Sequence, residues 1–433
     1  MLLVINIFAK VAFTFDSKLN VAENRKALVL LIKTDIQETT MTKTIKWILP
    51  VIVIAQFFCT SLWFAGNAIV ADLVKDLHLS GSAIGNITSA VQFGFITGTF
   101  SYAALMITDR FSSSSVFFFS AILAALSNVC LAFIDVNLTG LLIMRFLTGF
   151  FLAGIYPVGM KIASDHFEKG LGKALGFLVG ALVVGTGFPH LLKSFTAALP
   201  WKVVLYVTSG LSIIGGACML LLVPAGPYQK RIQSLDYKAL FSIFKNRPLR
   251  SAAIGYFGHM WELYAFWAFV PFLLATYKNI QPAVVINIST LSFFIIATGG
   301  LACVASGYLS QIFGVKKTAS ISLFLSGCCC LFSPLAFFLP VIPFVVFLIF
   351  WGWVVIADSP MFSTLVAQYA DVQIKGTIIT IVTCIGFSIT IASIELLNYL
   401  SASIDPRYMF MVLAVGPISG LLYMLRKNGK QEY

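Results

Sequence analysis

The stretch RFLTGFFLAGIYPVG, residues 145–159, sets one arginine in an apolar run and follows it with Gly149, Gly154 and Pro157. A second stretch, FWGWVVIADSP, residues 350–360, repeats the glycine and proline at Gly352 and Pro360, both 203 positions later. Each lies in a run long enough to cross a bilayer, where about 20 residues of helix cover about 30 Å of hydrocarbon. Such runs recur along the chain. Of its 433 residues 59% are hydrophobic and only 11% are charged, against about 25% charged in a soluble domain. The chain reads as an all-α polytopic membrane protein. A β-barrel would show short alternating segments instead.

Twelve spans are predicted, at about 46–70, 84–107, 115–134, 138–160, 174–196, 202–224, 250–275, 288–311, 318–339, 341–363, 376–399 and 407–425. They divide into a six-helix bundle over 45–224, a basic linker over 225–249, a second six-helix bundle over 250–425 and a tail over 426–433. Residues 1–44 hold short apolar pieces broken by charges, as in DSKLNVAENRK, and none is long enough to span. They are expected to be a poorly ordered extension, with an interfacial helix as the alternative. An even number of spans puts both termini on one side. If that side is the cytoplasm, it carries 23 of the 29 lysines and arginines, as the positive-inside rule requires. The net charge of +12 is therefore explained by topology, and no nucleic-acid partner is expected.

The halves match elsewhere too. QFFCTSLWF in span one is answered by GYFGHMWEL in span seven, and DRFSSSS after span two by QIFGVKK after span eight. Paired parallel repeats are a device of secondary transporters, with the substrate held between the halves near mid-membrane. On these motifs the chain resembles the major facilitator superfamily over about residues 45–425, and its bacterial members in particular. LMITDRFSSS departs from the family's loop after span two by losing its glycines but keeps Asp109 and Arg110. RFLTGFFLAGIYPVG matches the family's span-four signature. GALVVGTGFPHLL in span five departs from the drug/proton antiporter motif because Pro189 is displaced. WFAGNA and GHMWELYA have a faint likeness to members grouped with nitrate/nitrite and cyanate transporters, but the glycine-rich nitrate signature is missing.

A charge inside a membrane helix costs about 2.5–3.5 kcal/mol on insertion scales and needs a reason. The resemblance implies that Arg145 faces a central cavity and serves anion binding or proton coupling; the alternative is a hydrogen bond between helices. Glu262 sits in the middle of span seven, with His259 three residues before it and on the same face. The two could share a hydrogen bond. Low dielectric favours the neutral form of a carboxyl, a property that suits a reversible proton carrier. The other reading is a satisfied pair that fixes packing. Asp358, just before Pro360, is either a site residue or a structural contact at a helix bend. Gln56, Thr60, Trp63 and Asn67 in span one, Gln92 in span two, and Tyr256 and Tyr264 in span seven are candidates to line the cavity. Each could equally be an interhelical contact. The resemblance implies a gating role for Asp109 and Arg110.

The expected function is secondary active transport of a small polar or anionic solute by alternating access, coupled to protons as a symporter. The alternative is a drug/proton antiporter, and a third class is a non-transporting receptor on the same fold. No phosphate-binding glycine loop or metal-ligand cluster is present, so neither an enzyme nor a cofactor is expected. The partners expected are a small-molecule substrate, protons and the lipid bilayer. A monomer in the bacterial inner membrane, with both termini cytoplasmic, completes the reading.

Overall fold

Inside lipid a chain must satisfy its own backbone polar groups, and helices do so within one segment. All regular structure among the described residues is helical. The computed structural model describes residues 47–79, 83–133, 137–167, 171–196, 198–229, 245–371 and 374–426. The N-terminal extension, most of the linker and the C-terminal tail lie outside them.

In the first half, α1 (Trp47–Thr60) is followed by α2 (Ala65–Ala68), α3 (Val70–Asp76), α4 (Ala83–Ala104), α5 (Ile107–Arg110) and α6 (Ser113–Cys130). Then come α7 (Leu138–Leu152), α8 (Tyr156–His166), α9 (Leu171–Phe195) and α10 (Lys202–Leu222). The second half holds α11 (Arg247–Ile280), α12 (Ile288–Ala297), α13 (Gly299–Phe313), α14 (Val315–Ala336) and α15 (Val341–Ala357). It ends with α16 (Ser359–Tyr369), α17 (Lys375–Ser403), a 3-10 turn (Met409–Ala414) and α18 (Val415–Leu425). Among the described residues, 8 helical segments are long and apolar enough to cross a membrane. With the shorter apolar helices, every predicted span falls on helix.

Two interruptions recur at the same place in each half. The predicted fourth span breaks between α7 and α8, just before Pro157, and the tenth breaks at Asp358, just before Pro360. Proline lacks the N–H that would continue the ladder. The glycines of the repeat also act alike. A Cβ on Gly149 would strike the backbone carbonyl of Val91 in α4, and one on Gly352 would strike that of Ile295 in α12. Each glycine lets the fourth helix of its half press against the second, backbone to backbone. Gly94 and Gly98 return the contact from α4, against the carbonyls of Phe146 and Phe150.

Residues Ile52–Tyr433 form one compact unit. Helix α4 packs on α17, and α9 packs on α12 and α13, so helices from one predicted bundle meet helices from the other. The α9–α13 seam is tight at its middle. A Cβ at Gly180 would lie 3.4 Å from the Gly300 carbonyl, and one at Gly300 would lie 3.1 Å from the Gly180 carbonyl. Gly314, at φ +86°, turns the chain between α13 and α14 in the left-handed region that glycine enters without strain.

Candidate functional site

The predicted first span is not one helix. It unwinds over residues 61–64, between α1 and α2, and frees backbone carbonyls that lipid cannot satisfy. Arg145 supplies the missing donors. From α7 its Nη2 donates to the carbonyls of Leu62 at 3.1 Å and Trp63 at 2.6 Å. Its Nη1 donates to Asn128 Oδ1 at 3.1 Å. The Asn128 amide in turn reaches Thr208 and Ser209 of α10. The guanidinium is fully buried, and its Nε meets no acceptor. Arg145 thus holds the broken segment in place, through a hydrogen-bond network within the first half.

That segment presents Trp63 and Phe64 to the second half. Trp63 stacks on Tyr264 of α11 at 5.7 Å and on Phe387 of α17 at 5.9 Å between ring centres. Phe95 of α4 closes the group, 4.9 Å from Trp63 and 4.5 Å from Phe387. Phe64 meets Trp267 edge-on at 6.4 Å. Broken span, α4, α11 and α17 therefore share one cluster of rings, and all these side chains are buried. Polar atoms within it go unused. The indole N–H groups of Trp63 and Trp267 and both amide atoms of Gln92 have no hydrogen-bond partner. Gln92 stands one turn before Phe95, on the same face of α4.

The other candidate lining residues are also buried but differ in what they offer. Gln56 has both amide atoms unpartnered, and its side-chain oxygen abuts Gly159 of α8. Thr60 spends its hydroxyl on the carbonyl of Gln56, at 2.8 Å, and faces Gly185 of α9. Asn67 donates to Thr88 Oγ1 at 2.7 Å. Tyr256 packs 6.1 Å from the His259 ring and against Gly386 of α17.

Glu262 and His259 are not bonded to each other. Three residues along a helix leave side chains about 60° apart in direction, and here they go to different neighbours. His259 Nδ1 lies 2.8 Å from Asp358 Oδ1, at the break between α15 and α16. Glu262 turns into the second half. Its Oε1 accepts from Trp351 Nε1 at 2.7 Å and from Cys330 Sγ at 3.2 Å, while Oε2 accepts from Ser326 Oγ at 2.8 Å. The carboxyl thus joins α11 to α14 and α15. The sequence alone does not single out Cys330, Trp351 or Ser326. Nothing in the residue order links them, because their contact is made by three helices meeting.

Polar contacts between the halves gather toward one end of the bundle. Ser89 of α4 donates to Glu395 Oε1 of α17 at 2.5 Å, and Asn398 stands against Gly85. Ser194 of α9 and Thr290 of α12 share a hydrogen bond of 2.6 Å, which Asn287 extends to Ser194 at 3.3 Å. Lys193 pairs with Asp72 at 2.7 Å within the first half. At the opposite end, Arg110 is exposed on α5, and the side chain of Asp109 lies outside what is described. Lys161 of α8 donates to the carbonyl of Thr108 at 2.8 Å and so ties this loop to the fourth span.

Comparison with known proteins agrees with this architecture. The sequence pattern of the Major Facilitator Superfamily matches residues 52–253. A niacin transporter of Acinetobacter baylyi is 31% identical over 160 residues, which is 32% of this chain and 36% of that protein. A probable galactarate/D-glucarate transporter of Escherichia coli is 25% identical over 174 residues, 38% of each chain. Both matches thus span under half of those relatives' length. The structure of a human organic anion transporter superposes with a TM-score of 0.70 at 13% identity, over 88% of this chain and 99% of that one. Pattern, fold and internal repeat agree: residues 52–253 carry the pattern of the Major Facilitator Superfamily, and the chain is an integral, multi-pass membrane protein with the fold of the superposed transporter.

Proposed function

We propose that this protein is a secondary active transporter that moves a small organic anion by alternating access between two halves, over about 45–224 and 250–425. The observation that carries the reading is the buried ring cluster shared by both halves, with indole and amide groups that lack partners. An unmade hydrogen bond at a buried donor costs about 1–3 kcal/mol, so a site that leaves several unmade suits a ligand that completes them. The two relatives are named for niacin and for galactarate or D-glucarate, all small carboxylates. With both termini in the cytoplasm of a bacterial inner membrane, the seal at Ser89, Glu395, Ser194 and Thr290 lies on the outer side. The chain acts as a monomer, and Asp109 and Arg110 belong to the inner gate.

Protons are the coupling ion in this reading, with His259 and Asp358 as the carrier. Their contact ties α11 to the break in the tenth span, next to the point where the helix can bend. The polar and titratable groups around them are Glu262 and Tyr256 on α11, Cys330 on α14 beside Glu262, and Cys303 on α13, whose thiol reaches the Ile356 carbonyl next to Asp358. In this reading the contact holds while the carried proton is bound, and its release frees the bend. Uptake therefore rises as the outer pH falls. In proteoliposomes loaded at neutral pH, an acidic exterior is expected to drive accumulation of nicotinate or galactarate. Asp358→Asn and Glu262→Gln are each expected to abolish that accumulation while leaving exchange of labelled for unlabelled solute in place. Unchanged gradient-driven uptake in both variants would sink the coupling scheme. A drug/proton antiporter is the second reading, since an aromatic cluster also suits organic cations; extrusion of a dye such as ethidium, with no organic-anion flux, would favour it.

A further inference from the structure

We infer that the solute is a planar aromatic monocarboxylate, seated between the ring faces of Trp63, Tyr264 and Phe387. This deepens the transporter reading and rests on it. Three observations carry it. The rings come from both halves and lie stacked or tilted on one another at 5.2–5.9 Å between centres. A flat ring can take the place of such a contact and gain similar stacking, whereas a hydroxylated open chain cannot.

The second observation is the kind of polar atom left unused. Beside the rings stand N–H groups without acceptors: Nε1 of Trp63, Nε1 of Trp267 and the amide nitrogen of Gln92. A carboxylate accepts from several such donors at once. The unused acceptors in the same place are few, namely the Gln92 oxygen and the Asn67 oxygen. A polyhydroxylated solute brings several O–H donors of its own, and these two oxygens are the unused acceptors available to meet them.

The third is charge. Arg145 is the one lysine or arginine among the described residues with a fully buried side chain. Both of its terminal nitrogens are taken by Leu62, Trp63 and Asn128. Only Nε remains, and it lies against the segment that carries Trp63. A single delocalised charge can be met by this set. Two carboxylates, as in an aldaric acid, would bury a second charge with no cation to meet it, which is costly.

The test is competition binding to the purified full-length protein, with labelled nicotinate as probe and benzoate, nicotinamide and galactarate as competitors. Benzoate is expected to displace the probe, and nicotinamide and galactarate are expected to do so at least about tenfold more weakly. Trp63→Phe and Trp267→Phe keep a ring but remove its N–H. Each is expected to weaken nicotinate binding about tenfold or more, the loss expected for a hydrogen bond to a charged group, with the thermal midpoint little changed. Galactarate competing as well as benzoate would overturn the inference and leave organic-anion transport standing. Equal displacement by nicotinamide, or wild-type affinity in both variants, would overturn it too. If no organic anion binds or accumulates in liposomes, the transporter reading itself falls and takes the inference with it.

Discussion

An Arg145→Met variant is expected to unfold at a clearly lower temperature than the parent protein. The substitution keeps much of the apolar stem but removes every donor. Two acceptors then stand unsatisfied, the carbonyl of Trp63 and the Asn128 side-chain oxygen, while the Leu62 carbonyl keeps a long bond of 3.4 Å from the Ala65 N–H. At about 1–3 kcal/mol each, their cost is on the order of 4 kcal/mol. Against that, the membrane interior no longer holds a charge, which is worth about 2.5–3.5 kcal/mol. The stranded acceptors win by on the order of 1 kcal/mol. Arg145→Lys should fall between, because one ammonium cannot reproduce the planar fork that spans two carbonyls and an amide. The check is the thermal midpoint of purified protein, followed by the fraction that stays monodisperse after heating. A methionine variant as stable as the parent would show that the broken span needs no donor.

Gly149→Leu is expected to do at least as much damage. The contact across α7 and α4 is made by backbone atoms, so no rotamer change can make room. Overpacking a core costs about 1–3 kcal/mol when side chains can shift; here whole helices must part, and the cost should exceed that range. The same change at Gly352 should have a matching effect through the Ile295 carbonyl. By contrast, Gly176→Leu meets nothing within 4 Å and should be tolerated. Yield of folded protein and thermal midpoint, measured for all three variants, check the ranking. Equal stability of the Gly149 and Gly176 variants would refute the close-packing account.

Much of the architecture was legible in the residue order, for physical reasons. Apolar length reports a span, and the Gly–Pro pairs at 149/157 and 352/360 mark where a helix is squeezed and where it bends. The interruption of the first span was not legible. WFAGNA carries no proline, and the reason its backbone can open is Arg145, which is remote in sequence. The acids Glu262 and Asp358 stand out in the sequence, since charge in apolar sequence is conspicuous, and both are buried. Their partners do not, because His259 meets Asp358 and Glu262 meets Trp351 only once three helices have packed. Of the ring cluster, Trp63 and Tyr264 were singled out. Phe95, Trp267 and Phe387 were not, because aromatics are common throughout this chain and nothing local distinguishes those that face across the halves.

The Gly180–Gly300 contact has a kinetic consequence. At this contact the two backbones meet glycine to glycine, with Val184 as the nearest side chain, so the seam works more like a plain bearing than a gear. Little activation energy is then spent on unmeshing rotamers there. If the halves rock as proposed, the toll falls at the rim instead, where Ser89 must let go of Glu395 and Ser194 of Thr290. A few half-buried polar latches would then set the pace, and the glycine seam would supply alignment.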